Sequence, residues 1–247
     1  MRHLTIVRAG GLALIVGALA FVAVFSYLAA SFGYPEVLDG AAPDVLPRLL
    51  ATGSLGRGVW AVYGFLPLCF LPAGVGAFHA LRHTREGAMR TAMLLAAVSA
   101  VAMMLGLLRW PSLHWELARA FTAGGASERA VIGAVFAAFN AYLGNYLGEF
   151  LGELSLSLFF LLSAGAMLHA RSGFPRWLGY FGLLAAVVGL IGMFRNVTSA
   201  VDPVAAVNNY LLPLWMIAFG VGLLRVRQIE AVPPVPGSAH GTGSSVG

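Results

Sequence analysis

Long apolar stretches alternate with short segments that contain arginine, and this alternation limits the fold more than any other feature of the chain. A helix needs about 20 predominantly apolar residues to cross the hydrocarbon core of a bilayer. Five windows reach or approach that length, at residues 11–32, 59–80, 91–108, 177–194 and 210–224. The sequence therefore predicts an all-α, polytopic integral membrane protein.

A further apolar run is too long to be a single span. Residues 130–170 would form a helix roughly 60 Å long, twice the ~30 Å hydrocarbon core, so this run has to be divided. One division is an interfacial helix at about residues 127–142 followed by a span at residues 147–169. The other is two spans joined by a hairpin near Gly148.

The distribution of arginine decides between these divisions. With six spans and a cytoplasmic N-terminus, nine arginines fall on the cytoplasmic side and six on the outer side, where six acids match them. Seven spans would move Arg171 and Arg176 outside, against the tendency of basic residues to stay in the cytoplasm. The sequence thus predicts six transmembrane helices with the N-terminus and the C-terminus cytoplasmic. The nine cytoplasmic arginines are Arg2, Arg8, Arg82, Arg85, Arg90, Arg171, Arg176, Arg225 and Arg227.

The chain is predicted to be one six-helix transmembrane domain, residues 1–228, followed by a tail. Residues 229–247 are rich in proline, glycine and serine and show no apolar periodicity, so we expect a disordered cytoplasmic tail. The first span follows a basic N-terminal segment, as the apolar core of a secretory signal would, but it is longer than the usual 7 to 15 residues. A retained signal anchor is the expectation.

Composition excludes several classes of protein. Hydrophobic residues make up 59% of the chain and charged residues only 10%, too few to cover a water-facing surface. The net charge of +5 is assigned to arginines at the cytoplasmic ends of spans, so the sequence indicates a lipid bilayer as partner and no nucleic acid. Cys69 is the single cysteine, which rules out an intrachain disulfide and a multi-cysteine metal site.

Two carboxylates stand at the start of the fourth predicted span, in the stretch NAYLGNYLGEFLGE at residues 140–153. Glu149 and Glu153 are four residues apart and share one helix face with Asn145 and Ser157. An ionised group at the centre of a bilayer costs ~3 kcal/mol on insertion scales. The two glutamates are therefore expected near the outer end of the span, where they face protein or water in an outward-opening polar pocket.

Partners for these glutamates are expected at the same depth. Arg109 ends the third predicted span, and Arg195 and Asn196 end the fifth, all on the outer side. Ionisable groups inside a membrane pair with one another or line a functional site. The predicted ligand-binding group is Glu149, Glu153, Asn145, Arg109, Arg195 and Asn196.

Glycines recur every four residues beside the glutamates, at Gly144, Gly148 and Gly152. Small residues at this spacing allow the backbones of two helices to approach closely. We therefore predict that this strip of glycines packs against another helix of the chain.

Three longer motifs carry a resemblance to a known family. They are FGYPEVL after the first predicted span, YLGNYLGEFLGE at the fourth and FPRWLGYFGLLAAVVGLIG leading into the fifth. With them the chain resembles the bacterial six-helix membrane proteins grouped as domain-of-unknown-function family 4386. The resemblance implies a six-span helical fold and a multi-pass protein of the bacterial inner membrane. The family has no established activity, so it supplies no site residue.

Signals for an enzyme, a metal or a cofactor are weak. His79 and His83 have the spacing of a metal-chelating pair, but they lie among arginines that would repel a cation. No histidine is central to a predicted span, as a transmembrane haem would require, and Walker, Rossmann and kinase motifs are absent from the sequence. We therefore predict no catalytic residue, no metal site and no cofactor, and a non-enzymatic role is favoured.

Three functions stay open at this point. In the first, a small transport or ligand-binding protein, Glu149 and Glu153 bind a cation, a proton or an amine. In the second, a structural or accessory membrane subunit, the carboxylates form buried ion pairs and the glycine strip packs helices, with another membrane protein or a second copy as partner. In the third, an enzyme at the outer leaflet, a glutamate is the general base. A cavity reaching both carboxylates would favour the first, and bidentate arginine contacts without a cavity would favour the second.

Overall fold

The computed structural model describes residues 2–226, and these residues are helical with short connections and no β-strand. The tail predicted to be disordered, residues 229–247, lies outside the described residues. The α-helices are α1 Arg2–Phe32, α2 Ala42–Ala51, α3 Gly53–Phe65, α4 Phe70–Leu108, α5 Trp115–Ala123, α6 Ala126–Phe139, α7 Gly152–Met167, α8 Arg176–Gly192 and α9 Asp202–Leu224.

Several of these helices join end to end. A 3₁₀ turn at Leu66–Cys69 links α3 to α4, a π turn at Trp110–His114 links α4 to α5, and a π-helix at Asn140–Leu151 links α6 to α7. Five of the resulting stretches are long and apolar enough to cross a membrane, as expected of a multi-pass membrane protein. They are His3–Phe32, Gly53–Ala123, Ala126–Met167, Arg176–Asn196 and Ser199–Leu224.

The stretch Gly53–Ala123 contributes two antiparallel segments, because α4 is interrupted at Arg85. That residue has non-helical backbone angles, φ −153° and ψ 77°. Beyond it the chain folds back: a Cβ atom on Gly74 would lie 2.8 Å from the Cβ of Ala96. The first half of α4, before Arg85, therefore packs along the second half, after Arg85.

Six helical segments close into a ring in which each packs antiparallel to the next in chain order. The order is α1, the first half of α4, the second half of α4, α7, α8 and α9, and α9 packs back on α1. Glycines stand at these contacts: Gly10 with Gly76, Gly74 with Ala96, Gly106 with Gly148, Gly182 with Ala164, Gly192 with Ala205 and Gly220 with Gly11. We call the end where α1 begins and α9 ends the terminal end, and the opposite end the cavity end.

The apolar run at residues 130–170 does not turn back near Gly148. The chain is helical from Ala126 to Met167, and the change between its two parts is a change of helix type, the π-helix at Asn140–Leu151. The alternative of two spans joined by a hairpin is thus not the one that the chain adopts. Only Phe136 of α6 is buried, so the first part of this stretch lies at the margin of the fold.

Two clusters of buried side chains hold the ring together. The larger one fills the terminal half with alanines and with Phe159, Phe160 and Trp215. The other is an aromatic cluster at the cavity end, where Trp60 stacks on Trp110 with ring centroids 4.9 Å apart. The short helix α2 buries its apolar face, Val45, Leu46 and Leu49, against this second cluster. These outer elements fix the walls of a cavity.

Candidate functional site

A cavity of about 550 Å³ extends from the cavity end into the middle of the ring. Its deep part is bordered by apolar side chains such as Phe21, Phe70 and Met216. Its mouth includes Asp39, whose side chain is 58% exposed. The site therefore combines an apolar interior with a polar entrance, as most small-molecule sites do.

Glu149 lies on the cavity wall and is neutralised by Arg195. Nε of Arg195 donates to Oε2 of Glu149 at 2.8 Å, and Nη2 donates to Oε1 at 2.8 Å. Nδ2 of Asn196 donates to the same carboxylate at 2.8 Å. A bidentate pair of this kind is strong and fixes the orientation of both partners. The 3₁₀ turn Met193–Asn196, which comes after α8, brings Arg195 and Asn196 to this place.

Further polar contacts extend this pair toward the mouth. Nη1 of Arg195 donates to Oδ2 of Asp39 at 3.3 Å. Nδ2 of Asn196 also donates to the main-chain carbonyl of Asn145 at 3.3 Å, while Oδ1 of Asn145 is buried without a hydrogen-bond partner. Asn145 thus contributes its backbone to the pair and leaves its side-chain acceptor unused beside the cavity.

Glu153 also lines the cavity but is not paired. It is the second residue of α7 and is half-buried. Among residues 2–226 none makes a hydrogen bond or an ion pair with its carboxylate. The two glutamates that the sequence treats alike therefore have different surroundings: one carboxylate is bound by arginine and asparagine, and the other faces the cavity.

Arg109 lines the cavity without pairing with either glutamate. Its side chain is buried, and Nε and Nη2 donate to Oδ1 of Asn140 at 3.2 and 3.0 Å, while Nη1 donates to the carbonyl of Gly106. The guanidinium also lies over the ring of Trp110, 5.1 Å from its centroid. Within the described chain no carboxylate comes within 4 Å of it. Of the two arginines considered as partners, only Arg195 binds a glutamate.

The glycine strip lies against the second half of α4 and shapes this region. The guanidinium of Arg109 packs on Gly144, and a Cβ atom on Gly148 would lie 2.9 Å from the Cα of Gly106. Deeper in the ring, a Cβ on Gly152 would lie 2.6 Å from Cγ of Met103. A side chain at position 144 would occupy the space of the guanidinium, so the strip both joins two helices and makes room for Arg109.

A family model matches residues 9–223 of the chain, and its description is "Domain of unknown function (DUF4386)". The chain belongs to this family. The resemblance found in the sequence motifs is thereby confirmed, and DUF4386 brings no activity with it. No curated protein and no solved structure matches the chain.

Several residues that line the cavity of this DUF4386 protein, or that hold a lining side chain in place, were missed by sequence reasoning. Asn140 holds Arg109 and donates through Nδ2 to the carbonyl of Leu38 at 2.9 Å. The hydroxyls of Tyr34 and Tyr63 lie 3.1 Å apart on the cavity wall, and Asn208 lines a deeper level. Burial raises the pKa of Tyr34 to about 12, so its phenol is neutral at physiological pH. Tyr34 lies in the turn after α1 and the other three residues lie in separate helical elements, and only Asn140 carried a signal, as a polar residue at the start of the glutamate stretch.

No metal site accompanies these groups in the described part of the DUF4386 chain. No cluster of three or more His, Cys, Asp or Glu side chains that could hold a metal ion occurs in residues 2–226. The charged side chains that line the cavity are Glu149 and Asp39, both bound to Arg195, the carboxylates of Glu153 and Asp202, which form no ion pair in the described chain, and the guanidinium of Arg109.

Proposed function

We propose that this DUF4386 protein binds a small molecule in its cavity, as a ligand-binding or transport protein, and that Glu153 holds the cationic group of that molecule. The observation that carries the proposal is the carboxylate of Glu153, which lines the cavity without a partner in residues 2–226, while Glu149 is neutralised by Arg195. A carboxylate in a sheltered site needs a counter-charge or a proton. A bound ammonium group or a proton supplies it.

The competing interpretation, an accessory subunit with buried ion pairs, has support at one residue only. The bidentate contact between Glu149 and Arg195 is what that interpretation expects, but it is found together with a cavity of about 550 Å³. An ion pair that only joins helix ends does not require a cavity beside it. We therefore assign Glu149 to the framework of the site and Glu153 to the ligand.

The proposed topology is six membrane crossings with both termini in the cytoplasm and the cavity open to the outside. Two findings support it: the chain reverses at Arg85, which splits the stretch Gly53–Ala123 into two segments, and arginines cluster at that reversal. Basic residues favour the cytoplasmic side of a membrane. In this arrangement α6 lies at the outer interface, and the protein resides in the bacterial inner membrane.

The test is the thermal stability of the detergent-purified protein in increasing n-butylammonium chloride, with sodium chloride at equal ionic strength as reference. A ligand that binds only the folded protein raises its melting temperature. We expect the wild type to respond to butylammonium and Glu153→Gln to fold equally well without responding. Glu116→Gln, at an exposed carboxylate outside the cavity, is the matched control and keeps the response. A full response in Glu153→Gln would overturn the proposal.

A further inference from the structure

Arg109 is a second charged group on the cavity wall that forms no ion pair in the described chain. Its side chain is 5% exposed, and no described carboxylate lies within 4 Å of it. The carboxylate of Glu149 is bound by Arg195 and Asn196 instead. Burying a cation without an ion-pair partner costs free energy. An anion bound to this arginine in the cavity would offset that cost.

The guanidinium has donors left for such an anion. Arginine carries five N–H groups. Three hydrogen bonds from Arg109 are formed, two to Asn140 and one to the carbonyl of Gly106. Both acceptors, Oδ1 of Asn140 and the carbonyl oxygen of Gly106, are neutral, so they orient the guanidinium without cancelling its charge. Two N–H groups are free to donate to an anion. A carboxylate or a phosphate offers two oxygen atoms at a spacing that matches two N–H groups of a guanidinium.

Arg109 and Glu153 stand at different depths of the same cavity. The guanidinium of Arg109 packs on Gly144, and Glu153 lies nine residues further along the same helical stretch. Gly144 lies at the level of Arg109 and Gly152 at the level of Met103, six residues earlier, so at about 1.5 Å per residue of α-helix the two levels are roughly 9 Å apart. Apolar side chains such as Leu66 and Met103 border the cavity as well.

We propose that Arg109 binds an anionic group of the ligand while Glu153 binds its cationic group, so that the ligand is an elongated zwitterion. This inference rests on the proposed function, because it takes Glu153 as the cation site. The two charges of the ligand then match two cavity side chains that form no ion pair within the described chain, whereas the third, the carboxylate of Asp202, is exposed to solvent. An uncharged solute or a simple cation would satisfy at most one of them.

The experiment compares chemically matched ligands on the wild-type protein by isothermal titration calorimetry in detergent. The probes are 4-aminobutanoate, 6-aminohexanoate and 8-aminooctanoate, with 8-aminooctanamide as the analogue that keeps the amine and lacks the anion. We expect affinity to rise along the series, and 8-aminooctanoate to bind at least about tenfold more tightly than its amide, a difference of about 1.4 kcal/mol.

A variant then assigns the anion to Arg109. Arg109→Lys keeps the positive charge but loses the planar guanidinium with its paired N–H donors. We therefore expect this variant to lose most of the preference for 8-aminooctanoate over 8-aminooctanamide and to keep its binding of the amide. Arg57→Lys, at an arginine outside the cavity, is the control and retains the preference. Should Arg109→Lys not fold, the ligand comparison on the wild type still decides.

The outcomes separate this inference from the proposed function. Equal affinity for 8-aminooctanoate and 8-aminooctanamide, with dependence on Glu153, overturns the zwitterion and leaves the cation site intact. Binding of the amino acid that is unchanged in Glu153→Gln overturns the zwitterion as well, because the anion alone would then be recognised. Absence of binding by every probe, together with no stabilisation by butylammonium, overturns the proposed function and the inference with it.

Discussion

At the scale of single residues, the two glutamates of one helical stretch have separate roles because only one of them has an arginine within reach. Arg195 and Asn196 both donate to Glu149, and they leave Glu153 one turn deeper without a partner in the described chain. Sequence reasoning predicted a polar site with these residues. It could not divide the partners between the glutamates, since Arg195 reaches the site from a turn that is 46 positions away.

The ion pair of Glu149 is expected to stabilise the fold. Glu149→Gln removes the bidentate carboxylate partner of Arg195 and leaves the partly buried guanidinium with only the weaker contact to the exposed Asp39. We expect a loss of about 1–3 kcal/mol of unfolding free energy, visible as a lower melting temperature in detergent. Replacing Arg195 by Gln as well should recover part of that loss, because coupled partners are not additive. Additive losses in the double variant would show that the two side chains do not depend on each other.

At the scale of helices, the glycine strip determines how closely the π-helix and α7 approach the second half of α4. Gly148→Ala introduces a methyl group 2.9 Å from the Cα of Gly106, and backbone cannot move aside as a side chain can. We expect destabilisation of about 1–3 kcal/mol. The control is Gly165→Ala in α7, where no atom lies within 4 Å of the new methyl group, and where alanine gains helix propensity of up to about 1 kcal/mol. Equal melting temperatures for the two variants would contradict close packing at Gly148.

The helix type at Asn140–Leu151 explains why the residue pattern predicted the site only in part. Positions four apart share a face in an α-helix, which is how Glu149 and Glu153 were placed together. A π-helix bonds each residue to the fifth along and carries more residues per turn, so it rotates the faces of α7 relative to those of α6. The π-helix ends at Leu151, between the two glutamates. The π-helix packs against α4, and spacing in the sequence gives no signal for this change of helix type.

At the scale of the whole molecule, hydropathy predicted an all-helical chain with several long apolar helices, but not the arrangement of these helices in a closed ring. The ring depends on contacts between distant positions, such as Gly11 on α1 with Gly220 on α9. Hydropathy windows report how apolar a helix is and not which helix lies beside it. The cavity is a consequence of the ring. Its apolar lining, and lining residues such as Tyr63 and Asn208, could therefore not be predicted from the sequence.

The proposed topology makes a prediction about the two faces of the membrane. In a Cys69→Ala background, cysteines at Gly40 and Ser127 should react with an impermeant maleimide added to intact cells. Cysteines at Arg85 and Arg176 should react only after the membrane is permeabilised, since these positions lie on the cytoplasmic side. The reverse pattern would invert the orientation and place the cavity toward the cytoplasm.

The central claim is that the cavity receives a ligand from outside and that Glu153 holds its cationic group. Cys69, the single cysteine of the chain, lines the cavity and reports on it without any engineered residue. The most direct measurement is the rate at which an impermeant cationic methanethiosulfonate reagent modifies Cys69 in intact cells, with and without butylammonium. We expect modification from outside, slowed by butylammonium in the wild type and not in Glu153→Gln. A Cys69 that stays unmodified until permeabilisation, or a rate that butylammonium leaves unchanged in the wild type, would contradict this claim.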